Sequence, residues 1–311
     1  MLNKCLIVDE MHPSIIALLA SCGLEADYQP GIRRSEVLEI IHKYAGLLVR
    51  SKLKIDRELL ENASRLVFIG RAGAGVDLID VEEVEKRNIR LFNAPEGNRD
   101  ALAEHAVGML FALLNKIISA DKEVRSGLWQ REANRGGELY KKTIALIGYG
   151  YMGRAFARRL SAFGCTILVY DKEPVQTEPG IMLTDMETIC KEADVVSFHV
   201  PLTDETRFMA DFAYFNRFKK NIWVVNTARG EILKLSDLIS HLKSGKIRGA
   251  ALDVLENEKF NTFTPEQHKD FDELIRFENV VLTPHVGGWS YESYVRINEV
   301  LIEKIRNSGL F

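Results

Sequence analysis

The sequence predicts an α/β protein of two units, each a parallel sheet covered by helices. Three observations predict it. Apolar runs of strand length alternate with helical stretches along the whole chain, the pattern of strands joined by crossover helices. At 311 residues the chain exceeds the length at which single cores usually stop growing, so two cores are expected. The strand-like runs also fall into two series with a long helical pattern between them.

The first series is CLIVD (5–9), GLLVRS (46–51), LVFIGRAG (66–73) and IRLFNA (89–94). A helical pattern from about Asp100 to Ser126 follows. It holds the longest apolar stretch, AVGMLFALL (106–114), bounded by Glu104 and His105 before it and Asn115 and Lys116 after it. That stretch is too short to span a bilayer and reads as a buried helix. The glycine-bearing segment RSGLWQREANRGGEL (125–139) is the expected domain junction. The second series is TIALIGYG (143–150), TILVYD (166–171), DVVSFHV (194–200), NIWVVNTA (221–228), RGAALDV (248–254) and NVVLTPH (279–285). There is no internal repeat, low-complexity run or block of like charges, which argues against solenoid and disordered classes.

With 27% charged residues and a net charge of −3, the chain lacks the basic balance that a nucleic-acid surface needs. Cys5, Cys22, Cys165 and Cys190 are scattered without a C-x-x-C pair, so neither a metal site nor a disulfide framework is expected, and a reducing cytoplasm fits. The N-terminus enters a strand-like run at once, with no pattern of a signal peptide.

The run TIALIG leads directly into GYGYMG, whose Gly148, Gly150 and Gly153 match G-x-G-x-x-G, and RAFARRLSAFG continues as an amphipathic helix. The first glycine permits a tight turn, the second lets a diphosphate approach the backbone, and the third lets helix and strand pack closely. The helix N-terminus adds free N–H groups and a partial positive charge. Asp171 closes the next strand, eighteen positions after Gly153, where a carboxylate accepts hydrogen bonds from an adenosine ribose. A 2′-phosphate would meet it as a like charge, so NAD is expected over NADP, with nearby Lys172 as the one opposing feature.

Ligands of open parallel sheets bind beyond the carboxyl ends of the strands. Three polar residues stand there: Arg229 in NTARGE, Glu258 in LENEK, and His285 in VLTPHVGGWS. Singly, each has an ordinary reading, as a surface arginine, a solvated loop carboxylate and a satisfied loop histidine. Together, at the ends of successive strands, they suit acid/base chemistry on a carboxylate-bearing substrate. Arginine offers paired N–H donors to a carboxylate or polarised carbonyl. Histidine takes a proton from an alcohol as a hydride leaves the same carbon. Glutamate on the other ring nitrogen orients the imidazole and favours its protonated form.

These motifs, with VRSKLKID (49–56), IGRAGAGVDLIDVE (69–82), NAPEGN (93–98), HVPLTDET (199–206), GAALDV (249–254) and TPHVGG (283–288), resemble the D-isomer-specific 2-hydroxyacid dehydrogenase family over nearly the whole chain. Within it, the chain is most similar to members acting on 3-phosphoglycerate in serine biosynthesis, in a short form without a C-terminal regulatory domain. The resemblance implies a Rossmann-fold NAD-binding domain at 99–285 inserted into a flavodoxin-like substrate domain at 1–98 and 286–311. It implies Arg229, Glu258 and His285 as the catalytic set. Tyr151, Met152, Pro201, Thr206, Thr227, Asp253 and Gly288 join Gly148, Gly150, Gly153 and Asp171 as cofactor positions. Arg50, Ser51, Arg71, Gly73, Ala74 and Gly75 are substrate positions, and Arg131 matches a basic residue that reaches a neighbouring subunit's site.

Two departures stand out. Lys259 replaces the usual proline after the catalytic glutamate, and FNTFTPEQHKDFDELIRF is longer and more charged than expected. Choosing Glu258 over Glu256 rests on its spacing from Arg229. The partners implied are a small 2-hydroxy or 2-oxo acid and a second copy of the chain, paired through the helix near 100–118 and the SGLWQREANRGGEL arm. Glyoxylate, hydroxypyruvate or another small 2-hydroxy acid is the alternative substrate. An NAD(H)-sensing corepressor-like binding protein is the alternative of another class.

Overall fold

A computed structural model of the protein describes residues 3–311. In chain order the strands are β1 (Asn3–Ile7), β2 (Leu24–Tyr28), β3 (Gly46–Val49), β4 (Phe68–Arg71), β5 (Arg90–Asn93), β6 (Thr143–Ile147), β7 (Thr166–Tyr170), β8 (Ile181–Leu183), β9 (Val195–Phe198), β10 (Ile222–Asn226), β11 (Ile247–Leu252) and β12 (Val280–Leu282). The helices are α1 (Ser14–Ala20), α2 (Arg34–Ile40), α3 (Arg57–Asn62), α4 (Val81–Lys86), α5 (Pro95–Leu114), α6 (Ile117–Arg125), α7 (Tyr151–Leu160), α8 (Met186–Glu192), α9 (Phe212–Asn216), α10 (Leu235–Lys243), α11 (Pro265–Leu274) and α12 (Tyr291–Arg306).

Two compact units result. One comprises the chain up to Arg99 with Trp289–Phe311, the other Asp100–Gly288. The borders drawn from the sequence, 98/99 and 285/286, differ from these by one and three residues.

The first unit carries a parallel sheet in the order β2-β1-β3-β4-β5, a flavodoxin-like winding. Side chains alternate between its faces. Leu6, Val8, Leu47, Val49 and Ile69 face one core with Leu59, Leu60 and Val84 of the helices. Cys5, Ile7, Leu48 and Phe68 face another, built with Ile15, Leu19, Leu301, Ile302 and Ile305. The last helix of the chain is therefore part of this unit's core.

The second unit's parallel sheet runs β8-β7-β6-β9-β10-β11-β12, the Rossmann order extended by a seventh strand. Ala145, Ile147, Val196, Phe198 and Val224 pack on one face. Ile144, Leu146, Val195 and Val225 pack on the other against Ala106, Met109, Leu110 and Leu113 of α5. All strands are parallel, and the order of winding reverses between β6 and β9, the switch point at whose strand ends ligands of such sheets bind.

Several expectations need correction. The strand reading has no counterpart to β2 or β8. Both are edge strands, and each buries only its first residue, Leu24 or Ile181, leaving too few inward positions for an apolar run to show. The single helix expected from about Asp100 to Ser126 is α5 and α6, bent by 61° at Asn115–Lys116, where Lys116 adopts a left-handed φ of 52°. The 125–139 segment is not the junction but lies within the second unit. It folds back on α5, with the Gly137 N–H donating to the Leu114 carbonyl and the Lys116 ammonium donating to the Ala133 carbonyl.

No single helix among the described residues is long and apolar enough to cross a membrane. Nor do the described residues include a cluster of three or more His, Cys, Asp and Glu able to hold a metal.

Candidate active site

The glycine loop begins one residue after β6. Gly148 has φ +98°, and a Cβ there would stand 2.6 Å from the His199 carbonyl oxygen beyond β9. A Cβ on Gly153 would stand 2.3 Å from the Gly148 carbonyl oxygen, so the start of α7 packs directly on the turn. Gly150, which precedes α7, has nothing within 4 Å of its absent Cβ. The loop is closed on its inner side and open at Gly150, as a backbone cradle for a diphosphate requires. Tyr151 is exposed beside it and Met152 half-buried.

Asp171 follows β7, and its carboxylate is fixed to the same loop. It accepts the Tyr149 N–H at 2.7 Å and the Glu173 N–H at 3.0 Å. Lys172 is paired with Glu205 at 3.0 Å on the surface. Thr206 closes the turn after β9, donating from Oγ1 to the Pro201 carbonyl at 2.6 Å and accepting the Thr203 N–H at 2.8 Å. Thr227, after β10, is buried, and its Oγ1 has no hydrogen-bond partner among the described residues. An orphaned buried hydroxyl after a strand of the same sheet that carries the open glycine cradle fits a dinucleotide ligand.

The sheet order sets the ends of β10, β11 and β12 side by side. Arg229 follows β10 in a turn held by buried Asn226, which accepts the Ala228 N–H at 3.1 Å and donates to the Arg229 carbonyl at 2.9 Å. The Arg229 guanidinium donates to the Ala228 carbonyl at 2.6 Å. A Cβ on Gly230 would lie 1.9 Å from the Leu255 carbonyl, so this turn is pressed onto the segment after β11.

Asp253, 2% exposed, organises the turn that carries His285. Its carboxylate accepts the Thr283 hydroxyl at 2.6 Å and the Val286 and Gly287 N–H groups at 2.9 and 2.8 Å. Its carbonyl accepts the His285 N–H at 2.8 Å. Burial opposes ionisation of this carboxyl, yet bonds from His105, Thr283, Gly287 and Val286 outweigh burial and hold its pKa below the usual aspartate value. His285 has φ +55°, a left-handed conformation uncommon outside glycine and maintained by these bonds.

The structure brings Glu258 to His285. The two carboxylate oxygens lie 3.0 and 2.9 Å from Nδ1. With Nδ1–H donated to Glu258, the neutral ring presents Nε2 as an acceptor. Glu256 is placed elsewhere: it accepts the Leu235 N–H at the start of α10, and burial raises its pKa. Where a proline was expected, Lys259 donates its N–H to the Asn257 side chain at 2.9 Å, so a polar turn replaces the ring.

His105, which the sequence reading used only to bound an apolar stretch, reaches this turn from α5. Its Nε2 is 3.0 Å from the Thr283 hydroxyl and 3.5 Å from Asp253. A histidine next to Glu104 at the edge of an apolar helical run was the only signal.

In the first unit, Arg50 and Ser51 follow β3, and Arg71 ends β4 before Gly73–Gly75. Gly73 has φ +136° and leaves no room for a Cβ beside the Arg71 guanidinium. The loop is held by the Ala94 N–H on the Gly73 carbonyl and the Asn93 amide on the Ala74 carbonyl, both at 2.8 Å. Arg131, in the second unit, is exposed after α6, and no hydrogen bond or ion pair joins its side chain to the residues above.

The family model for the D-isomer specific 2-hydroxyacid dehydrogenase NAD binding domain matches residues 107–287. The D-3-phosphoglycerate dehydrogenase of Archaeoglobus fulgidus is 36% identical over 308 residues, 98% of this chain and 57% of that protein. This chain thus spans little more than half the length of that relative. The glyoxylate reductase of Thermofilum pendens is 39% identical over 301 residues, 93% of this chain and 86% of that protein. Among solved structures, the D-lactate dehydrogenase of Aquifex aeolicus, complexed with NAD and lactic acid, superposes with a TM-score of 0.84 at 25% identity, covering 98% of this chain and 95% of that one.

Proposed function

Because this chain belongs to the D-isomer-specific 2-hydroxyacid dehydrogenase family, we propose that it interconverts a small D-2-hydroxy acid and the corresponding 2-oxo acid, with NAD as its dinucleotide. The observation that carries the reading is the His285–Glu258 pair, which leaves Nε2 as a proton acceptor on a turn fixed by Asp253.

When bound, the dinucleotide would supply or accept the hydride. His285 Nε2 takes the hydroxyl proton in oxidation and returns a proton to the carbonyl oxygen in reduction. Glu258 holds the ring and balances the imidazolium charge. Arg229 binds the carboxylate or polarises the carbonyl through its planar N–H edge. Gly148, Gly150, Tyr151, Met152 and Gly153 would hold the diphosphate at the start of α7, and Asp171 the adenosine ribose. Pro201, Thr206, Thr227 and Gly288 complete the set. Asp253 contributes through the turn it organises, because its oxygens are already engaged. Asp171 supports NAD over NADP, and the pairing of Lys172 with Glu205 reduces the cation available to a 2′-phosphate.

For the acid, 3-phosphoglycerate and its oxidised partner 3-phosphohydroxypyruvate are our first reading, supported by similarity to the A. fulgidus protein and by Arg50 and Arg71 as oxyanion ligands. Ser51 and the 73–75 backbone would hold the carboxylate end. Glyoxylate or hydroxypyruvate is the second, supported by the higher identity to a glyoxylate reductase over most of that protein's length. Comparing 3-phosphohydroxypyruvate, glyoxylate, hydroxypyruvate and pyruvate with NADH and NADPH tests all of this. NADH should outperform NADPH, with the phosphorylated acid preferred. Tight NADH binding without turnover of any acid would instead support a nucleotide-sensing binding protein.

We also propose a homodimer. Ile117, Ile118, Val124, Leu128 and Trp129 expose apolar surface along α6 and the following arm, with Trp129 79% exposed, and Arg131 lies on the same arm. Sedimentation at micromolar concentration should give twice the chain mass; a monomer mass would contradict the assignment.

A further inference from the structure

Four arginines of the first unit are paired with carboxylates: Arg33 with Glu36, Arg34 with Asp56 and Glu58, Arg57 with Glu61, and Arg87 with Glu83. Arg50 is held differently. Its backbone N–H donates to buried Asp9 at 2.6 Å, which fixes the turn after β3 without neutralising the guanidinium. Its Nη1 donates to the Glu10 carbonyl at 3.3 Å, and no carboxylate among the described residues is ion-paired with it. The guanidinium carbon lies 4.0 Å above the centre of the Trp289 ring and 5.7 Å from that of Tyr294. Among the described residues the Nε and Nη2 edge has no hydrogen-bond partner. Burial holds the pKa of this cation below the usual guanidinium value, so an anion at its free edge would be favoured.

The aromatic support comes from the local grammar of WSYESY. Ser290 caps α12 by accepting the Ser293 N–H at 3.0 Å, and the Ser290 N–H returns to the Ser293 hydroxyl at 2.8 Å. Trp289, before the cap, meets Tyr294 in the first turn with ring centres 4.7 Å apart, a hydrophobic staple made of two aromatic rings. His12 meets the Tyr294 ring edge-on at 5.6 Å, and the Asn298 side chain of α12 donates to the His12 carbonyl at 3.0 Å. The staple that sets the entry of α12 is therefore also a braced platform under Arg50.

We propose that Trp289 and Tyr294 are positioning residues that present Arg50, unneutralised, to an oxyanion of the acid substrate. This rests on the reading of the chain as a 2-hydroxyacid dehydrogenase and names the residues that set its affinity for the acid. A cation held by π-faces keeps its planar N–H edge for a carboxylate or phosphate, whereas a carboxylate partner would occupy it.

Steady-state kinetics of Trp289→Ala, Trp289→Phe and the wild type, with glyoxylate and 3-phosphohydroxypyruvate, test the proposal. Trp289→Ala should raise KM for the acid about tenfold, as expected for loss of a partly desolvated cation–π contact, with little change in kcat or in KM for NADH. Trp289→Phe should recover most of the loss. A rise on both acids assigns Arg50 to the carboxylate, and a rise on the phosphorylated acid alone assigns it to the phosphate. Unchanged KM on both, or a loss of kcat alone, overturns the proposal while leaving an active wild type and the functional reading intact. A wild type inactive on every acid overturns both.

Discussion

Replacing His285 with asparagine should lower kcat for reduction of the preferred 2-oxo acid by about a thousandfold, within the usual range for loss of a general acid/base. Affinity for NADH should be unchanged. Asparagine is the informative replacement because His285 sits at φ +55°, which asparagine tolerates better than alanine. The turn should survive, since Asp253 holds it through the His285, Val286 and Gly287 N–H groups rather than through the ring. Glu258→Gln should act in the same direction and more weakly, because an amide still accepts from Nδ1–H but does not balance the imidazolium. A kcat for His285→Asn within threefold of the wild type would move the proton transfer to another group.

Gly148→Ala should remove dinucleotide binding and lower the melting temperature by roughly 6–12 °C, the shift expected for a cost of about 3 kcal/mol in a unit of this size. Two effects add: the residue is at φ +98°, and the new Cβ would stand 2.6 Å from backbone that closes the sheet's switch point. Gly150→Ala is the control, since nothing lies within 4 Å of its Cβ. It should keep the melting temperature and still weaken NADH binding by filling the open side of the loop. Calorimetric melting and NADH titration separate the cases; equal loss of stability in both variants would contradict the distinction.

Much of this architecture was legible because local chemistry forces it. Gly148 and Gly153 stand where only glycine fits, and the order of strand, turn, helix and acidic residue placed Asp171 beside them. The strand ends that carry Arg229, Glu258 and His285 followed from the rule for parallel sheets. What escaped notice depends on tertiary contacts. The edge strands β2 and β8 bury one residue each, so no apolar run marks them. His105 acquires meaning only when α5 packs beside the turn after β12. Glu256 and Glu258 are chemically equivalent in sequence and were separated only by spacing; in the structure one accepts a helix N–H and the other meets the imidazole. Trp289 and Tyr294 gain a role only from the tertiary contact that sets the Arg50 guanidinium over them.

The most direct test of the central claim is reduction of hydroxypyruvate and 3-phosphohydroxypyruvate by purified protein and NADH, with the configuration of the product determined. The account predicts stoichiometric NADH consumption and a D-2-hydroxy acid, lost together in His285→Asn. An L-product, or NADH bound tightly without consumption on any 2-oxo acid, would contradict it.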